Sequence, residues 1–188
     1  MDVAEVAGED ASEAVQILIR RCAYREATDE AARTLGIDVG RFCKAMLGDE
    51  MVAHGVVHEV FVRFFDATPT LETAPLRPWL FGNAYRMCVE RLGGSDERQR
   101  ADALQLTRDD DRRLPADAEA ERARARRTRV ALDKVPPRAR GAALLRYCGR
   151  IGYADVGKIC GMSEEEAAKQ VGRALTVLRD ALSEEEEA

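Results

Sequence analysis

Residues Pro75 to Leu92 read PLRPWLFGNAYRMCVERL, and the pair Gly93-Gly94 follows. A proline suits the first turn of a helix, where the missing N–H has no intrahelical partner, so Pro78 marks a start. The two glycines mark a stop. Between them Leu80, Ala84, Met87, Cys88 and Leu92 return at helical spacing, which predicts one core-facing stripe. The rest of the surface carries Asn83, Arg86 and Arg91. Trp79 (the only tryptophan), Phe81 and Tyr85 add three aromatic rings. Cations, amides and flat rings on one short helix suit phosphates and unstacked bases. They suit an ordinary amphipathic helix with its tryptophan in the core equally well, so the neighbouring sequence has to decide.

The whole chain has 188 residues, 34% of them charged, and a net charge of −5. That length allows one domain or two small ones. Periodic stretches repeat at helical rather than alternating spacing, which predicts an all-α protein. The negative balance excludes a general nucleic-acid coat, so any such contact has to come from local patches. The cysteines Cys22, Cys43, Cys88, Cys148 and Cys160 include no short-spaced pair. Their odd number argues against a disulfide framework, and each falls on an apolar helical face, which predicts buried free thiols. No apolar run approaches membrane-spanning length, and the acidic start MDVAEVAGEDASE is no signal peptide. A cytoplasmic protein without membrane insertion is expected.

Upstream, Ser12 caps a helix carrying Val15, Leu18, Ile19 and Cys22 on one side. A second helix, about 28–47, uses Ala31, Leu35, Val39, Phe42, Cys43 and Met46, with a kink expected near Gly36. Gly48-Asp49-Glu50 makes a turn. A third helix, about 52–66, places Ala53, Val56, Val57, Val60, Phe61 and Phe64 inward. His54 and His58 stand four apart on its polar side, a spacing that can hold a metal. No third ligand stands nearby, so histidines at a partner interface are the preferred reading and no metal is expected.

Downstream the character changes. Residues 94–129 are charged, poor in large apolar side chains and broken by Pro115, which predicts a flexible linker, helical at most near its end. Its basic run Arg122, Arg124, Arg126, Arg127 and Arg129 fits either phosphate contact or a solvated helix start. Apolar period recovers at Val130, and a helix after Pro136-Pro137 buries Ala142, Leu145 and Cys148. GYADVGKICGMSEEEAAKQVGRALTVLRDAL then reads as helix, tight turn, helix, with Gly157 and Ala167 small at the crossing and Gly161 at the turn. Ser163 and Glu166 form a capping box. The expected layout is two helical domains, 12–93 and 130–182, joined by the linker 94–129 and followed by an acidic tail 183–188.

With both units in view, the chain resembles a bacterial RNA polymerase sigma factor of the extracytoplasmic-function group. Leu76-Arg77-Pro78-Trp79-Leu80-Phe81 is similar to that family's approach to its −10 helix. Val135-Pro136-Pro137-Arg138 through Leu144-Leu145-Arg146-Tyr147, with Tyr153, Ile159, Gly161 and Ser163, is similar to its −35 domain. The resemblance implies a transcription initiation factor that binds core RNA polymerase and directs it to promoter DNA, and it allows an anti-sigma factor among the partners. It implies polymerase contacts at His58, Glu59, Phe61 and Arg63, −10 contacts at Arg77, Trp79, Asn83 and Arg86, and −35 contacts at Lys169, Gln170 and Arg173. Asn83 and Arg86 are expected to point outward toward DNA.

Departures from the family pattern accompany the matches. His54, Gly55 and His58 replace the usual residues on the third helix, Tyr85-Arg86 replaces an Arg-Asn pair, and Gly93-Gly94 replaces a closing run of arginines. The second helix of the C-terminal pair opens with Glu164, Glu165 and Glu166, which favours the helix dipole and disfavours DNA. Two alternatives follow: a divergent sigma-like interaction protein that does not read promoters, and a stand-alone helix-turn-helix regulator, which needs a dimer seam that the sequence does not display. No glycine-rich phosphate loop, nucleophile motif or paired metal-ligand set appears, so neither catalysis nor a cofactor is expected.

Overall fold

The computed structural model describes residues 3–93 and 116–184. Among them run eight α-helices and no strand: α1 (Val3–Arg20), α2 (Tyr24–Leu47), α3 (Glu50–Ala67), α4 (Leu76–Gly93), α5 (Ala116–Lys134), α6 (Pro137–Tyr147), α7 (Tyr153–Cys160) and α8 (Glu164–Glu184), with one 3-10 turn at Thr68–Thr70. The all-α expectation therefore holds. The linker residues 94–115 and the tail residues 185–188 lie outside the described residues; Ser183 and Glu184 of the expected tail continue α8. No described helix is long and apolar enough to cross a membrane.

Helix α2 is the axis of the N-terminal half, packed against α1, α3 and α4. It runs unbroken past Gly36 and buries Ala27, Ala31, Leu35, Val39, Phe42, Cys43 and Met46. Gly48 ends it in the left-handed region at φ 81°, and Asp49 starts α3 by accepting the Val52 N–H at 2.9 Å. Cys22 departs from expectation. It lies past the end of α1 at φ 57° and is exposed, because the chain turns there instead of continuing the helix. Cys43 and Cys88 are buried, Cys148 and Cys160 are half-buried, and all are free thiols.

The C-terminal half is α5 to α8, with α8 touching each of the other three. The boundary expected at Val130 falls inside α5. Within that helix Arg129 reaches across to the N-terminal half, donating to the carbonyls of Lys44 (3.2 Å) and Ala45 (2.9 Å) at the end of α2. The Ala45 carbonyl is one that a helix end leaves open, while that of Lys44 also accepts the Gly48 N–H at 2.9 Å. Asp133 accepts from Arg129 at 2.8 Å and from the buried Arg140 at 3.0 Å, so one carboxylate serves two guanidinium groups.

Two separately packed domains were expected; instead one buried cluster runs from Val15 through Leu80 and Phe81 to Leu145, Ile151 and Val171. The physical cause is α6, which is buried at every position from Ala139 to Leu145. Its small and apolar residues fall on every side, and Arg140 among them is paired with Asp133, so the helix takes cover all round. Ala139 and Ala143 meet Ala174 in a small second cluster with Val135, while Ala142 and Leu145 join the large one. Across the halves, α2 meets α6 and α4 meets α7, and both contacts are thinner than the helix pairings that build each half.

Candidate functional site

The solvent face of α3 carries His58 and Arg63, both exposed, and Glu59, which is partly exposed. Glu59 accepts from Arg63 one turn later at 2.8 Å, and its other oxygen lies 3.4 Å from Arg91 of α4. Phe61 does not join them. Its ring approaches Gly36 of α2 and packs on the core, so it sits on the inner side of α3. The residues that the sequence reading missed are apolar: Met51 is 80% exposed, Phe65 47% and Val62 45%. With Gly55 and His58 they fall at i, i+4, i+7 steps, the seam that a partner helix fills. That spacing was available in the sequence, but the stronger inward period of the same helix masked it.

On α4 the expected outward face is largely covered. Asn83 is only 7% exposed. Its amide nitrogen donates to the Trp79 carbonyl at 2.9 Å, and its oxygen accepts from Arg86, also at 2.9 Å. Arg86 itself is exposed. Trp79 is half-buried, edge-on to Phe64 with ring centroids 5.6 Å apart. Arg77 has a side chain 15% exposed, 3.6 Å from the Asp38 carboxylate, and it donates to the Gly149 carbonyl at 3.2 Å. Burial pushes its pKa down, and Asp38 opposes that. Asn83 thus does not point outward but is bonded within α4, and Arg77 is held by the α6–α7 turn. A Cβ placed on Gly82 would stand 3.4 Å from Ile159 Cγ1. Tyr85 packs on Gly141 and hydrogen-bonds with Cys160, and burial raises its phenol to about 12.

Helices α7 and α8 meet at a tight turn for reasons local to the sequence. Gly161 sits at φ 64°, in the region that favours glycine, and its N–H and that of Met162 both return to the Gly157 carbonyl. A Cβ on Gly157 would lie 2.7 Å from the Met162 carbonyl oxygen, so the approach requires glycine. Ser163 accepts the Glu166 N–H at 3.1 Å. The Glu166 carboxylate, expected to complete a capping box, instead accepts from Gln170 at 2.6 Å. Comparison with known proteins finds no matching family model and no matching curated sequence.

The candidate −35 residues lie on one side of this second helix, but its own glutamates engage two of them. Lys169 is paired with Glu165 at 2.8 Å, and Gln170 with Glu166. Arg173 is exposed. The basic run of α5 exposes Arg124, Arg126 and Arg127, whereas Arg129 is turned to α2. Among the described residues no cluster of three or more His, Cys, Asp and Glu side chains has the proximity to hold a metal ion.

Proposed function

We propose that this chain is a sigma-like transcription initiation factor, binding core RNA polymerase through the solvent face of α3 and directing it to promoters through α4 and the α7–α8 pair. The observation that carries the reading is the α7–α8 turn. Gly157, Gly161 and Ser163 together build a short helix, a sharp reversal and a longer capped helix, the arrangement that DNA-reading helical pairs use. The open α3 face with its apolar seam supports a protein partner of helical shape. Such a factor works in the cytoplasm, and the polymerase supplies the chemistry.

Reversing both charges of the Glu59–Arg63 pair keeps an attractive pair on the helix while inverting what a partner meets. Pull-down with core RNA polymerase is expected to weaken about tenfold, with thermal unfolding unchanged. Equal capture by the doubly reversed chain would show that α3 is not the docking face.

A second reading, a sigma-like interaction protein that does not read promoters, is favoured by the glutamates that engage Lys169 and Gln170. Changing Glu164, Glu165 and Glu166 to Gln frees those groups. A promoter-reading factor then gains duplex affinity with a steeper salt dependence, or loses discrimination at one base pair. No duplex binding before or after the change, even as holoenzyme, decides for the second reading.

A further inference from the structure

A docking face on α3 accounts for only half of its histidine pair. His58 lies in the apolar seam, whereas His54 stands one turn before it and has no part there. We infer that His54 and His58 together chelate a late first-row divalent metal ion, Zn2+ being the type, and that the bound ion opposes docking on this face. The site is independent of the function proposed above; its effect on docking rests on that function.

Three observations carry the site. First, both residues belong to the continuous helix α3 and both are exposed, so a rigid element sets their spacing. Side chains four apart on a helix lie one above the other, with Cβ atoms about 5–6 Å apart. Two histidines at that spacing hold zinc from a single helix face in the HExxH arrangement. Second, both rings are available. Among the described residues neither takes part in a hydrogen bond or an ion pair. Third, the surroundings suit a hydrated cation. Nothing stands within 4 Å of a Cβ at Gly55, beside the pair. The Glu50 carboxylate, one turn before His54, is near enough for the two side chains to feel each other's charge. Lys44 holds Glu50 at 2.5 Å, so Glu50 lends charge rather than a ligand.

A resident metal takes three or four protein ligands, and the described residues bring no such cluster together. Two imidazoles with water in the remaining positions make a reversible site instead, and imidazole suits zinc, copper and nickel. A partner helix that filled the seam would cover His58 and strip the ion of one ligand. Ion and partner therefore weaken each other's binding by the same factor.

Calorimetric titration of the free chain with Zn2+ tests the site. Either His54→Gln or His58→Gln is expected to lower the affinity about a hundredfold, since the second ligand acts at the high effective concentration of one helix. Glutamine is a good helix former and both positions are exposed, so the fold stays intact. Combining Met51→His with His54→Gln keeps two imidazoles on the face but sets them two turns apart, and is expected to bind as weakly as either single variant. Undiminished zinc affinity in any of these variants, or no binding by wild type, overturns the site. Saturating Zn2+ is expected to lower capture by core polymerase about tenfold, and that loss is expected to vanish in His54→Gln. No loss in wild type, or an equal loss in His54→Gln, overturns the effect on docking. If the zinc-free chain does not bind core polymerase at all, the proposed function falls, and calorimetry alone decides the metal site.

Discussion

Helices α3 and α4 are both 18 residues long and lie side by side against α2, yet they meet solvent differently. Helix α3 buries one stripe, Ala53, Val56, Val60 and Phe64, and leaves the opposite side bare, apolar residues included. Helix α4 buries five consecutive residues, Leu80 to Ala84, and therefore has cover on every side at its middle. One helix belongs to a single layer and the other is sandwiched between two. The difference separates an open surface from one already covered.

Paired phenylalanines test that contrast most severely. Phe81 is fully buried, edge-on to Phe42 at 5.6 Å, whereas Phe65 is half exposed. Phe81→Ala is expected to cost about 3–5 kcal/mol in denaturant unfolding. Phe65→Ala is expected to stay within about 0.5 kcal/mol while lowering capture by core polymerase. Equal costs for the two would erase the distinction.

Glycines sharpen it further. A Cβ on Gly141 would run into the Tyr85 ring, so Gly141→Ala is expected to cost about 1–3 kcal/mol through overpacking. The same variant should also expand the free chain in scattering. Tyr85 offers a pH test of the same seam. Its phenol is held at about 12 because burial favours the neutral form, against an ordinary value near 10. The stability that follows is fully present below pH 10 and is lost as pH rises through about 12. A phenolate absorbance titration of wild type should show one tyrosine ionising late, and Tyr85→Phe should remove that step. The smallest effect belongs to α3, where nothing stands within 4 Å of a Cβ at Gly55. Gly55→Ala is expected to stabilise the chain by about 0.5–1 kcal/mol, read from the denaturant midpoint.

Local signals were legible in the sequence. The buried side of α2 is the set its spacing indicated, and the turns at Gly48-Asp49 and Gly161 with the Ser163 cap stand where their residue types placed them. Each of these depends on neighbours a few residues away. The misreadings share a different cause. Asn83 was placed outward because periodicity assumes one buried face per helix, whereas α4 is covered on more than one side. Phe61 lies inward as its period indicated, and the polymerase contact implied there by the resemblance is not on the open face, because a match to a motif does not fix rotation about the helix axis. Glu166 turned from the cap to Gln170, since both partners are within reach of one carboxylate. Arg129, read as part of a basic run open to phosphate or to solvent, reaches the end of a helix 84 residues upstream, and no local pattern announces that.

The contact between Arg77 and the Gly149 carbonyl also has a consequence for the chain as it is made. Gly149, which receives Arg77, is added 72 residues after it. At a synthesis rate of about 5–20 residues per second, α4 emerges roughly 4–14 s before its cover exists. Every newly made copy therefore passes once, at birth, through a form in which this side of α4 lacks its cover.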